Sequence, residues 1–246
     1  MYEEARAQLA PHGILRAGIN LSNILLVTGR SEAGDPTGVA PDMARAIAER
    51  LNVPLSYVPF PKPGALADAA GKDAWDIGLI GDEPARAEKI AFTPPYVEIV
   101  ATYLVPSDST LKTAAEVDRP GIRIAVEART AFELWLSRNI VHAQLFRSDS
   151  LEAVCEQFVR EKLEALADLK PRLLSTVETI PGTRILEGQF TAVQQAVGTA
   201  RVNLAGAAFL REFVEEAKAS GFVESLIKRH NVQGLSVALP GPNASP

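Results

Sequence analysis

The sequence predicts an α/β protein in which two sets of parallel strands and helices follow one another. Three observations predict it. Near the start, short apolar runs alternate with segments of helical periodicity in the order β-α-β-α-β, and that order implies parallel strands with helices on the sheet faces. After a linker at 106–120 a fresh alternation of the same kind begins. Two longer apolar runs, 99–105 and 190–197, separate the sets.

In order, 14–19 reads as a strand, and the polar loop after it ends in the turn-rich Gly34-Asp35-Pro36-Thr37-Gly38. A helix over 41–51 places Met43, Ile47 and Leu51 on one face, with Pro41 and Asp42 where a helix start favours them. Strand 54–59 is bounded by prolines, 64–72 is a short helix, and 76–80 is a third strand. The long strand 99–105 follows Phe92-Thr93-Pro94-Pro95-Tyr96. The second set reads as strand 122–126, helix 131–138, helix 150–161, strand 162–167 and a helical stretch over 169–177. In helix 150–161, Leu151, Val154, Cys155, Phe158 and Val159 share a side. Pro181-Gly182 marks a turn before the long strand 190–197. The last part is helical, with Phe209, Leu210, Phe213, Val214 and Ala217 on one face, a break at Gly221, and Phe222, Val223, Leu226 and Ile227 beyond it. Residues 240–246 are rich in Pro, Gly, Asn and Ser and are expected to fray.

Composition narrows the function. A chain of 246 residues with 47% hydrophobic and 22% charged residues suits one or two globular domains. Lys and Arg total 25 against 30 for Asp and Glu, a net charge of -5, which argues against nucleic acid and anionic membrane surfaces. The lone Cys155 excludes an intramolecular disulfide and a multi-thiolate metal site, and reads as a small buried hydrophobe. His12, His142 and His230 lack ligand spacing, so no metal is expected. There is no G-x-S-x-G, H-E-x-x-H or phosphate-binding G-x-x-x-x-G-K-[ST] motif, and no G-x-G-x-x-G after a strand. No cofactor is expected. No run reaches the ~18–20 apolar residues of a membrane span. The acidic, polar start Met1-Tyr2-Glu3-Glu4 lacks the features of a secretory signal, so the chain is either cytoplasmic or has had a signal removed.

The stretch Trp75 to Tyr96 carries the most chemistry. A buried strand ends in a glycine turn, and a short helix with Pro84 in its first turn carries Arg86 near its start. Ligands of open α/β sheets bind beyond the carboxyl ends of the strands. Helix N-termini favour anions, and a guanidinium beside one can hold a carboxylate with paired hydrogen bonds. The competing reading makes Arg86 a solvated surface charge.

The same run resembles the signature of the periplasmic solute-binding proteins of ABC importers, in the branch that binds polar amino acids. The matching residues are Asp76, Pro84-x-Arg86 and Phe92-Thr93-x-Pro95-Tyr96. Leu15-Arg16-Ala17-Gly18, the stretch Gly38 to Ala48, Ile122 to Val126 and Lys162 to Leu166 resemble further family segments in the same order. The resemblance implies a two-lobed periplasmic-binding-protein fold, with two parallel-type sheets flanked by helices and joined by two hinge strands. Residues 1–103 and 195–246 would form one lobe and 104–194 the other. The ligand would lie in the cleft between them, and hinge motion would close it.

For function, the resemblance implies a non-enzymatic, periplasmic, monomeric protein. It would bind a small polar carboxylate-bearing solute, an amino acid or related organic acid, and deliver it to the transmembrane subunits of an ABC permease. Arg86 would grip the carboxylate, with Gly81, Asp82 and Glu83 beside it. The second lobe would add Thr130, preceded by Arg129, although N-cap preference equally makes Thr130 a helix cap. The family's ammonium-binding aspartate falls in register on Leu169. A one-residue adjustment would put Asp168 there instead. Asn20, Ser22 and Asn23 stand after the first strand and would line the site with amide and hydroxyl groups. Other readings are an enzyme on this fold of the cyclohexadienyl dehydratase type, with Glu83, Glu127 or Asp168 as acid or base, and a ligand sensor without transport. Each of those carboxylates also reads as a solvated charge.

Overall fold

The computed structural model of the chain describes residues 2–241. In chain order the elements begin with helix α1 (Tyr2–Leu9), strand β1 (Leu15–Asn20), the short strands β2 (Gly29–Arg30) and β3 (Pro36–Thr37), α2 (Val39–Leu51) and β4 (Leu55–Phe60). Next are α3 (Pro63–Asp68), β5 (Ile77–Gly81), α4 (Pro84–Ala87), β6 (Ile90–Phe92) and β7 (Val97–Pro106). After a 3-10 turn at Ala114–Glu116 come β8 (Arg123–Glu127), α5 (Ala131–Asn139), β9 (Gln144–Ser148) and α6 (Leu151–Arg160). They are followed by β10 (Ala165–Leu169), α7 (Lys170–Thr179), β11 (Thr183–Ile185), β12 (Thr191–Ala200), α8 (Leu204–Ala219), α9 (Phe222–Arg229) and β13 (Ser236–Val237). The chain forms two compact units, one holding the residues up to Glu98 and from Gln194 onward, the other Ile99–Val193. Both divisions fall inside long strands, β7 and β12.

In the first unit β1 lies between β4 and β5, all parallel. Part of β12 runs antiparallel to β5 and β6, and β13 pairs with the start of β7. Helix α2 covers this sheet because its apolar residues recur every three to four positions. Met43, Ile47 and Leu51 are fully buried, each contributing about 1.5–3 kcal/mol by leaving water. The helix can start where it does because residue 38 is glycine. Gly38 has φ +141, and a Cβ there would run into the backbone of Leu26, Val27 and Thr28. Leu9, Ile19, Ile77, Val97, Leu210 and Val223 join α2 in one core.

In the second unit β8 lies between β9 and β10, again all parallel. The segment Ala101–Leu104 of β7 runs antiparallel to β10, and β11 pairs with the end of β7. Leu104, Ala125 and Leu166 of the sheet pack against Val154, Phe158 and Leu173 of α6 and α7. Strand side chains alternate faces. Thr102, Glu127 and Asp168 therefore share the helix-covered face with Leu104, Ala125 and Leu166.

Each unit carries the same clamp ahead of its strands. The Arg16 amide and Nε donate to Asp76 Oδ2 at 2.8 and 3.1 Å, and Nη2 donates to Oδ1 at 2.8 Å. The Arg123 amide and Nε both donate to Glu164 Oε2 at 2.9 Å, and Nη2 donates to Oε1 at 2.8 Å. In both units the carboxylate sits immediately before a strand, β5 or β10, and the arginine on its parallel neighbour.

Several elements differ from expectation. The acidic start forms α1, whose Ala5 and Leu9 are buried and whose Tyr2 ring meets Phe209 edge-on at 6.1 Å. Strand β9 was not anticipated; its burial alternates only weakly, and it pairs with β8 as an outer strand. The strand expected over 162–167 is displaced to Ala165–Leu169. Lys162 takes a left-handed backbone (φ 49) as the chain leaves α6. Val159 is 55% exposed and does not join the buried side of α6, whereas Cys155 packs against that core. Of the tail expected to fray, 242–246 lies outside the described residues.

Candidate functional site

In the first unit, β5 delivers Gly81, Asp82, Glu83 and Arg86 to its carboxyl end. The strand is buried throughout, which fixes where it stops. The Asp82 amide donates to the Gln194 carbonyl at 2.7 Å. Glu83 is the N-cap of α4 but makes no side-chain cap; its carbonyl accepts the amides of Arg86 and Ala87, both at 2.9 Å. Pro84 has no amide, so this four-residue turn offers little of the helix-end anion site expected there. The positive element is the guanidinium. Arg86 is 6% exposed, not a solvated surface charge, and its Nη1 donates to the Gly81 carbonyl at 2.8 Å. Glu83 is also buried. The surrounding protein, and then the neighbouring Glu83 carboxylate, push the Asp82 carboxyl upward against the pull of Arg86.

The loop after β1 is a neighbour of that strand end, since β1 and β5 pair up to Ile19 and Leu79. Asn20 Oδ1 accepts from the Ser22 amide at 3.2 Å and from Ser22 Oγ at 2.9 Å. Asn23 Oδ1 accepts from the Leu25 amide at 3.2 Å. The amide oxygens of both asparagines thus turn the loop, and what they have left to offer a ligand is their NH2 groups.

In the second unit, β8 ends at Glu127 and the chain turns through Arg129, whose φ is 63. Thr130 then caps α5. Its Oγ1 accepts from the Glu133 amide at 3.2 Å and donates to the Glu127 carbonyl at 3.0 Å. The hydroxyl hydrogen is therefore engaged in the turn, and the first-turn amides of α5 are donors that remain at this corner. Glu133 braces the turn: it accepts from the Arg129 amide at 2.9 Å, from Ser137 Oγ at 2.7 Å and from Arg147 Nε at 2.8 Å. Burial raises the Glu133 carboxyl, but the bonds from Ser137, Arg147 and Arg129 outweigh it and hold it below its usual value.

Asp168 lies inside β10, in regular pairing with β7. The pairs Leu166–Leu104, Ala167–Tyr103, Asp168–Thr102 and Leu169–Ala101 run one to one, without a bulge. Asp168 is 1% exposed, and its Oδ1 accepts from the Leu169 amide at 2.7 Å. Its Oδ2 lies 3.0 Å from Arg172 Nε, an ion pair outside hydrogen-bond geometry. Arg172 Nη2 also donates to Glu127 Oε2 at 3.1 Å. Burial pushes the Asp168 carboxyl up to about 6, although Arg172 and the Leu169 amide pull it down. Arg172 was not among the residues anticipated. Its spacing of four from Asp168, across a strand-to-helix junction, was the available signal.

The candidate residues therefore gather in each unit at the carboxyl ends of its parallel strands. Asn20, Ser22, Asn23, Gly81, Asp82, Glu83 and Arg86 do so in the first unit, and Arg129, Thr130 and Asp168 in the second.

Comparison with known proteins adds the family. The model of the bacterial extracellular solute-binding proteins, family 3, matches residues 18–233. Among solved structures, a mutant of ArgBP from T. maritima is 22% identical, with 92% of this chain and 99% of that one covered and a TM-score of 0.72. The ancestral amino acid-binding protein AncCDT-1, described as a precursor of cyclohexadienyl dehydratase, is 19% identical over 91% of this chain and 97% of its own, also at 0.72. A binding component of an ABC transporter from Wolinella succinogenes, complexed with lysine, is 19% identical over 89% and 95%, again at 0.72. These likenesses establish the two-lobed α/β fold. With the family model covering most of its length, the chain belongs to the bacterial extracellular solute-binding proteins of family 3.

Proposed function

We propose that the protein binds a small polar solute bearing a carboxylate, an amino acid or related organic acid, and hands it to the membrane subunits of an ABC permease. It works as a monomer outside the cytoplasm, in the periplasm, without a cofactor. The observation that carries the reading is Arg86. A guanidinium buried at the carboxyl end of a parallel strand, steered by the Gly81 carbonyl, is a fixed positive group of the kind that holds a carboxylate. Asn20, Ser22 and Asn23 add polar contacts beside it, and Gly81, Asp82 and Glu83 shape the strand end. In the second unit, Arg129, the first turn of α5 behind Thr130, and the region of Asp168 are its candidate polar contacts.

A catalytic role has less support. Asp168 titrates in a range useful to a general acid, but it is covered and engaged by Leu169 and Arg172, which does not favour proton transfer to a substrate.

The reading is tested by denaturing purified protein and identifying released small molecules by mass spectrometry, followed by thermal-shift titration of the apo protein with amino acids and organic acids. A carboxylate solute should be released, and it should raise the melting temperature by mass action. If no carboxylate is released and none shifts the melting temperature, the reading is wrong.

A further inference from the structure

We propose that Arg172 is a specificity-determining residue, selecting a carboxylic acid that carries no ammonium group. The inference rests on the binding function above and narrows its solute class. Glu127 and Asp168 stand at adjoining strand ends, on one face of the second unit's sheet. Two carboxylates so placed would attract a ligand cation. Here the protein supplies the cation itself. Arg172 Nη2 is 3.1 Å from Glu127 Oε2, and Nε is 3.0 Å from Asp168 Oδ2. The three side chains are 8%, 2% and 10% exposed for Glu127, Asp168 and Arg172, so water screens them poorly.

An ammonium approaching this corner meets a fixed guanidinium, and Asp168 has no exposed oxygen to give it. Arg172 cannot shed its charge to make room. Burial lowers its pKa, but Asp168 and Glu127 more than compensate, and the net direction is upward. Its position reinforces the point. Arg172 lies in the first turn of α7, where the helix dipole disfavours a cation, so the carboxylates are what hold it there. Arg172 also has donors at Nη1 that neither carboxylate uses, suited to an oxygen of the solute.

The test uses matched acids that differ only in the amino group: L-glutamine with 5-amino-5-oxopentanoate, L-arginine with 5-guanidinopentanoate, and L-phenylalanine with 3-phenylpropanoate. Calorimetry gives the affinity ratio within each pair for the wild-type protein, R172Q and E127Q. The wild-type protein should bind at least one deaminated acid more tightly than its amino acid. R172Q should move the ratio toward the amino acid by about tenfold or more, the scale of one poorly screened charge. E127Q, which leaves Arg172 with a single carboxylate, should move it the other way, and it serves as the readout if R172Q does not fold. The role of Arg172 is overturned if the wild-type protein prefers the amino acid in every pair that binds, or if both folded variants keep the wild-type ratio. If neither member of any pair binds, this inference is overturned, while the binding function stands or falls with the solute released on denaturation.

Discussion

Replacing Asp168 by Asn should change how the stability of the second unit depends on pH. Asp168 is buried, and its carboxyl is raised from 3.8 to about 6. A raised carboxyl means the folded state binds its proton more tightly than the unfolded chain does. Ionisation of this group therefore destabilises the fold. The penalty is fully present above pH 6 and is relieved as pH falls from about 6 towards 3.8. The rise corresponds to about 3 kcal/mol at neutral pH. Glu133, Glu164 and Asp118 are shifted downward and act oppositely, losing their stabilising contribution as pH falls through their lowered folded values. Comparing D168N with the wild-type protein at each pH cancels them. Urea melts at pH 5 and 7.5, in a W75F background so that Trp135 reports on the second unit, give the comparison directly. D168N should gain on the wild-type protein by about 1–3 kcal/mol between pH 5 and pH 7.5. A difference that stays constant, or moves in favour of the wild-type protein at the higher pH, would refute the burial argument.

Asp76→Ala removes a carboxylate whose side chain is 4% exposed and leaves Arg16 with Asp73 as its remaining partner. Urea melts followed by Trp75 fluorescence should show a loss of about 3 kcal/mol, and a loss below 1 kcal/mol would contradict the clamp. Thr130→Ala removes the cap of α5 and should cost about 1 kcal/mol of stability in a denaturant melt, while Thr130→Ser should retain it. An equal loss in both variants would show that the hydroxyl is not what matters. Gly38→Ala should destabilise the first unit by more than 1 kcal/mol in the same assay, since the backbone of Leu26 to Thr28 closes over it.

The alternation of strands and helices was readable wherever the residues obeyed a period. Met43, Ile47 and Leu51 announced α2 because burial on one face leaves a repeat in the sequence, and the apolar run Ile124 to Val126 announced β8, a strand buried on both faces. Helix α1 left no such trace, with Ala5 and Leu9 its only buried residues and most of its other side chains polar. Strand β9 escaped for a related reason, since an outer strand with exposed Gln144 and Arg147 has no apolar alternation to find. At the site, the strand end, the glycine turn and Pro84 located Arg86, but nothing local told a buried guanidinium from an exposed one. Thr130 was visible as a helix cap, whereas Glu133 and its bonds to Ser137 and Arg147 were not. The fate of Asp168 was set by pairing with Thr102, a strand sixty-odd residues away, and by Arg172 folding back across the start of α7. Long-range pairing decides which way a strand residue points, and no local spacing encodes it.

The central claim is that the Arg86 guanidinium holds the carboxylate of the solute. Its most direct measurement is calorimetric titration of the released carboxylate solute into the wild-type protein, R86K and R86A, with melting temperatures confirming that each variant is folded. Loss of charge-assisted hydrogen bonds worth about 3 kcal/mol predicts about a hundredfold weaker binding to R86A, with R86K in between. Affinity of folded R86A within threefold of the wild-type value would contradict the account.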